Sequence, residues 1–288
     1  MYPRTPDGWT AIERAKVGPF TTSVTYRRPD GSLSHWRSRV HRKHASALSR
    51  TRAKPARHWW FAPDRASWWI GVLFALGSTC FLIAPFPGFL QLVGSGADGI
   101  VFFVGSIFFT AAASLQHIEA INADRGPADA EEEGTGLRVL TIEPGRIDWW
   151  ATLIQLVGTV FFNLSTWDAM QSGLSTQQEN RLIWGPDVLG SACFLIASYL
   201  AFAESCEAWG RWKPGDREWR IGALNMAGSI AFGISAIAAF VVPSTGTVLN
   251  LAWVNGFTAL GALGFLLGAL LLLPEAAEGD AEASAAAG

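Results

Sequence analysis

Three glutamates, Glu119, Glu204 and Glu275, each stand fourteen residues after a glycine that opens a small-residue pair: Gly105-Ser106, Gly190-Ser191 and Gly261-Ala262. A ring of carboxylates at the mouth of an apolar bundle can attract cations or pair with basic side chains. A plainer role weighs more, because a helix leaving a bilayer commonly meets a charged residue, although a carboxylate at a helix C-terminus opposes the macrodipole. His117, two residues before Glu119 in "SLQHIEAIN", reads as a hydrogen-bonded or snorkelling imidazole rather than a proton relay. His35, His41 and His44 sit among Arg and Lys, which repel cations, so no metal site is expected. No Walker-type phosphate loop, nucleophile elbow, zincin helix or Cys-Cys pair occurs, and the expectation is a protein with no catalytic residue, no cofactor and no enzymatic activity. Cys80, Cys193 and Cys206, odd in number and widely spaced, read as small core residues rather than a disulfide framework.

Membrane spans must position these residues. Half of the 288 residues are hydrophobic, with 14 Trp and 18 Phe against 3 Tyr, a membrane-like balance. Apolar stretches long enough to cross a bilayer lie at 68–85, 99–118, 149–167, 184–203, 219–242 and 251–273. They are apolar all round, whereas a soluble helical bundle would keep a polar stripe on most of its helices. Gly-, Pro- and Ser-rich stretches such as "APFPGFLQLVGSG" and "DAMQSGLSTQQENR" separate them. No charged residue stands at the centre of a span, which argues against proton-coupled or ion-coupled transport. Gln155 and Asn225 occupy matching mid-helix positions where the first span has Phe74, and such amides bridge helices. Asp98 and Asp187 fall near the surface opposite the glutamates.

Alignment on tryptophan exposes a repeat. "WWIGVLFALGSTCF" from Trp68, "WWATLIQLVGTVFF" from Trp149 and "WRIGALNMAGSIAF" from Trp219 share Trp, a small pair nine residues on, and Phe at thirteen. The even-numbered spans match one another as well, with Phe109, Phe194 and Phe265 four residues after their glycines. The expected fold is therefore all-α and integral to the membrane: six transmembrane helices as three tandem two-helix hairpins. Each unit crosses twice, so the copies are parallel and related by a pseudo-threefold axis along the membrane normal. Gly77-Ser78, Gly158, Gly228-Ser229, Gly105-Ser106, Gly190-Ser191 and Gly261 are read as helix-packing residues, where the missing side chain lets two helices approach. The spacings Gly71 to Ala75 and Gly264 to Gly268 fit the same role. Trp68, Trp69, Trp149, Trp150 and Trp219 are read as membrane-interface anchors.

The paired pattern of "GSTCF" on one helix and "GSIFF" on the next resembles the YrhK-like family of small integral membrane domains, whose units are two-helix hairpins with a Gly-Ser pair in each. The likeness covers about residues 66–275 and is best in the first hairpin; the third departs from it with Gly261-Ala262. The resemblance implies a membrane location and brings no catalytic residues. A three-repeat, six-helix plan also invites comparison with mitochondrial carriers, but their signature at odd-helix ends is replaced here by "APFPGF", "STWDAM" and "VVPSTG".

Charge sets orientation and partners. Of the 22 Lys and Arg, 14 lie in the first 65 residues against four acids, and only Arg181 falls on the side opposite the termini. Both termini are expected in the cytoplasm, and the membrane, in a bacterium, is the cytoplasmic one. The first 30 residues contain no apolar core of a secretory signal. Residues 1–66 form a basic arm, with a small β-hairpin about Pro29-Asp30-Gly31, that is expected to attract anionic lipid headgroups but not nucleic acid. The remaining divisions are a first hairpin at 67–122, an acidic loop at 123–146, a second hairpin at 147–206, a third at 207–274, and a disordered Ala/Glu-rich tail at 275–288. The expected function is structural, regulatory or lipid-interacting, with the lipid bilayer as partner and any protein partner unnamed. The alternative is a small-solute transporter or channel with the glutamates as its cytoplasmic mouth, and a membrane enzyme ranks third. A pore would line its axis with Gln155, Asn163, Asn225 and the glutamates; a packed bundle would fill it with Phe and Leu.

Overall fold

The computed structural model describes residues 3–39, 59–123, 137–206 and 212–287, with side chains as far as 277. Six helices carry the fold: α1 (Ala66–Ile83), α2 (Pro87–Ile121), α3 (Ile147–Asp168), α4 (Thr176–Cys206), α5 (Arg217–Ala238) and α6 (Leu251–Ala287). All six are long and apolar enough to cross a membrane. Each also turns bare apolar side chains outward, among them Leu76, Ile107, Val160, Leu195, Ile237 and Leu267. Such a surface is stable against lipid and not against water, so the chain is a multi-pass membrane protein.

Every helix packs on the next in sequence, and α6 returns to pack on α1, closing a ring. Small residues set the spacing. A Cβ placed on Gly77 would meet the Gly105 carbonyl oxygen at 2.9 Å, one on Gly158 would meet Cys193 Cβ at 2.8 Å, and one on Gly228 would meet the Gly261 oxygen at 2.9 Å. In Ser106, Ser191 and Ser229 the second residue of the pair bonds to a different neighbour. Ser106 Oγ lies 3.0 Å from Thr166 Oγ1 across the α2–α3 seam, and Ser229 Oγ lies 2.7 Å from Ser198 Oγ across the α4–α5 seam. The glycine thus serves contact within a consecutive pair of helices, and the hydroxyl serves contact with the next pair. Ser78 Oγ, at the α1–α6 seam, has no hydrogen-bond partner, because Ala269 stands eight residues after Gly261 where Ser198 stands eight after Gly190.

At one end of the ring lies an antiparallel sheet of β1 (Thr10–Val17), β2 (Phe20–Arg27) and β3 (Leu33–Arg37), in that order. The β2–β3 hairpin is the one expected about Pro29-Asp30-Gly31. Gly31 has φ +85°, which glycine takes without steric cost, and the Ser32 N–H and O–H both donate to Asp30 Oδ1. Those bonds hold the Asp30 carboxyl below its usual range. Val24, Tyr26 and Trp36 alternate onto one buried face beneath Trp9, and burial pushes the Tyr26 phenol up. Val17 and Phe20, at the β1–β2 turn, pack against Ile147 and Ala203 of the bundle. A second hairpin, β4 (Val241–Val242) with β5 (Thr247–Val248), joins α5 to α6 at the opposite end.

Several boundaries differ from expectation. Strand β1 was not foreseen, since the adjacent Glu13 and Arg14 break the two-residue apolar alternation in "TAIERAKV". Helix α2 starts at Pro87 rather than 99 and bends at Gly94 (φ +80°), so most of the stretch read as a linker is helical. Helix α4 starts at Thr176, where Ser175 and Gln178 form a capping box inside the stretch read as a polar loop. The tail at 275–288, expected to be disordered, continues α6 as far as Ala287, in keeping with the high helix propensity of Ala and Glu. Within the basic arm, residues 40–58, with His41 and His44, lie outside the described residues, as do 124–136 of the acidic loop.

Candidate functional site

The six repeated phenylalanines meet on the axis of the ring. Phe81, Phe162 and Phe232, from α1, α3 and α5, form one triangle with ring centroids 6.4, 6.1 and 6.2 Å apart. Phe109, Phe194 and Phe265, from α2, α4 and α6, form a second with centroids 6.0, 5.5 and 6.0 Å apart. Rungs of 5.6, 5.0 and 5.5 Å join the two triangles within each consecutive pair of helices. All six rings are buried, and they fill the axis at this level, with edge or tilted contacts throughout except for the stacked pair Phe232–Phe265. The glycines make this possible: a Cβ on Gly105, Gly190 or Gly261 would strike Phe81, Phe162 or Phe232 within 3.0 Å.

Between this layer and the sheet lies a cavity of about 60 Å³. Gln116, Glu119, Gln155, Ser198 and Asn225 line it, and Arg39 lines its sheet side. Asn225 rests on Gly268, whose absent side chain leaves room for the amide. Asn163 lies elsewhere, donating to Thr110 Oγ1 at 2.8 Å across the α2–α3 seam. The axis therefore combines both sequence expectations, amides in one half and phenylalanines in the middle.

The residues after β3 reach the glutamates. Ser38 Oγ–H donates to Glu204 Oε1 at 2.7 Å. The Arg39 guanidinium lies 3.4 Å from Glu275 Oε1 and 3.7 Å from Glu218 Oε2, and Arg37 lies 3.2 Å from Glu218. Glu119, Glu204 and Arg39 are all buried. A buried carboxylate is tolerable only when paired or hydrogen-bonded, and the basic arm supplies those partners to Glu204 and Glu275. His117, one helical turn before this end, has Nδ1 2.9 Å from Thr152 Oγ1 and its ring beside Trp149, the hydrogen-bonded role expected of it.

The tryptophans divide by position. Trp68, Trp149 and Trp219 are mostly buried, and Trp69 and Trp150 are exposed. Trp68 and Trp149 each donate Nε1–H to the carbonyl eight residues earlier, Trp60 and Thr141; Trp69 and Trp150 donate to Pro63 and Pro144, six residues earlier. A proline also stands five residues before Trp68, Trp149 and Trp219, at Pro63, Pro144 and Pro214, a spacing present in the sequence but unused in its reading. Also missed was a buried network at the start of α3, where Arg146 donates Nε–H to Asp148 at 3.0 Å and NH1–H to Glu143 at 2.7 Å.

Beyond the phenylalanine layer, away from the sheet, opens a larger cavity of about 430 Å³. Phe81, Phe162 and Phe232 form its floor, and Glu179, Trp184 and Asp187 of α4 lie in its wall. Of these α4 residues only Asp187 was singled out from sequence, and only as a surface acid. Among the described residues no group of His, Cys, Asp and Glu is arranged to hold a metal ion. No family model, curated protein or solved structure matches the chain.

Proposed function

We propose that the chain is a non-enzymatic membrane protein with a regulatory or structural role, in which a sealed helical bundle anchors a basic N-terminal module at one membrane face. The observation that carries this reading is the double triangle of phenylalanines, which leaves no polar path along the axis at that level. The closed ring of helices and the equivalent Gly-to-Phe contacts of Gly105, Gly190 and Gly261 support three tandem hairpins about a pseudo-threefold axis. The paired small-residue motifs keep the unit similar to the YrhK-like hairpin. The distribution of Lys and Arg supports a cytoplasmic sheet and cytoplasmic termini. On that side the arm has two partners, the bundle glutamates through Ser38 and Arg39, and anionic headgroups through its other basic residues.

A carrier is the second reading, favoured by one observation: cavities of about 430 and 60 Å³ flank the same phenylalanine layer. Vesicle flux separates the two. Purified protein reconstituted in liposomes is expected to release an entrapped small cation and a neutral sugar no faster than protein-free vesicles do. Release that scales with the amount of protein would overturn the sealed reading.

A further inference from the structure

The wall of the larger cavity departs from regular helix geometry where its acids stand. Residues Glu179–Trp184 are π-helical, an insertion that costs hydrogen-bond geometry and recurs at functional sites. Neighbouring elements hold it in place. The Asn180 side chain donates to the Val241 oxygen at 2.7 Å and accepts from the Val241 N–H at 2.9 Å, pinning the insertion to β4. Trp184 donates Nε1–H to the Ala236 oxygen at 3.0 Å and stands edge-on to Phe240. The insertion thus carries Glu179, Trp184 and, one turn on, Asp187 into the cavity wall.

Two features of this cavity specify a ligand. Its surface is mostly aromatic and aliphatic, with the faces and edges of Phe81, Phe102, Phe162, Phe232 and Trp184 around it. Glu179 and Asp187 line it without a hydrogen bond or ion pair from any described side chain. Carboxylates held in apolar surroundings without a cation gain most from a positive partner that brings its own apolar body, and aromatic rings add cation–π attraction. A volume of about 430 Å³ falls within the range of sites for drug-sized molecules.

We propose that this cavity is a binding site for a lipophilic organic cation, with Asp187 and Glu179 as its charge partners and the phenylalanine layer as its floor. The assignment stands on the cavity alone and holds whether the bundle is sealed or mobile. An acyl chain from the bilayer is the competing occupant, and the test distinguishes it.

Equilibrium binding to the full chain in lipid nanodiscs, with empty nanodiscs subtracted, uses benzyltrimethylammonium, tetrabutylammonium and tetraphenylphosphonium, with tetraphenylborate as the anionic counterpart of the last. At least one cation is expected to saturate at one per chain, with tetraphenylborate remaining at the empty-disc level. Asp187→Asn or Glu179→Gln is expected to weaken that cation about tenfold or more, and Glu204→Gln, at the other end, to leave it unchanged. The unfolding temperature of each variant separates lost binding from lost folding, and the two acid variants give independent readings. Failure of all three cations to saturate, equal binding of tetraphenylborate, or undiminished affinity in both folded acid variants would overturn the proposal.

Discussion

A methyl group on Gly105 would lie 2.7 Å from Cys80 Cβ and 3.0 Å from the Phe81 ring, and one on Gly261 would lie 2.7 Å from the Phe232 ring. Both sites join a helix contact to the aromatic layer, so neither can relax without moving a phenylalanine. Gly105→Ala and Gly261→Ala are each expected to destabilise the fold by about 1–3 kcal/mol, the usual cost of overpacking, read as a lower unfolding temperature in detergent. Gly233, around which a Cβ would find open space, is the matched control, and Gly233→Ala should be neutral or better. Ser78 offers the opposite sign. Ala269→Ser would place a hydroxyl where Ser198 has one and give Ser78 a partner. Interhelical hydrogen bonds in membranes contribute about 0.6 kcal/mol, so a small rise in unfolding temperature is expected, and a rise lost in the Ser78→Ala background would assign it to that pair.

At the scale of elements, sheet and bundle are joined by a few charged contacts. Arg39→Ala would remove the cation beside the half-buried Glu275 and Glu218 carboxylates, leaving Arg37 beside Glu218. Hydrogen exchange of β1 to β3 is expected to quicken in Arg39→Ala and in Ser38→Ala, with α1 to α6 unchanged; equal protection in both variants and wild type would show that the apolar contact of Val17 and Phe20 suffices. The legibility of these elements from sequence followed their physics. Six apolar spans and the β2–β3 turn were readable, because length, hydropathy and turn chemistry are local properties. Strand β1 and the first turns of α4 were not, since Glu13, Arg14 and Lys16 break up the apolar residues of β1 and the start of α4 is mostly polar. The pairing of Glu204 and Glu275 with Ser38 and Arg39 was not legible, because the partners are 166 and 236 positions apart in the chain. Helix rotation, invisible in any single segment, decided that Asn163 lies on a seam and Gln155 on the cavity.

For the whole molecule, the proposed function requires the phenylalanine layer to partition two compartments of one bundle. The proposed seal rests on packing: six buried rings in mutual contact, with glycine-spaced helix pairs around them. On that reading a ligand cannot reach the larger cavity along the axis from the sheet side, where the basic arm acts. The most direct measurement is thiol accessibility in sealed vesicles, in a background with Cys80, Cys193 and Cys206 replaced by Ala. Asn255→Cys reports on the larger cavity and Ala201→Cys on the smaller one. A membrane-impermeant maleimide is predicted to reach Asn255→Cys from the face remote from the sheet alone, and never to reach Ala201→Cys from that face, with or without tetraphenylphosphonium. Labelling of either position from both faces would contradict the partition.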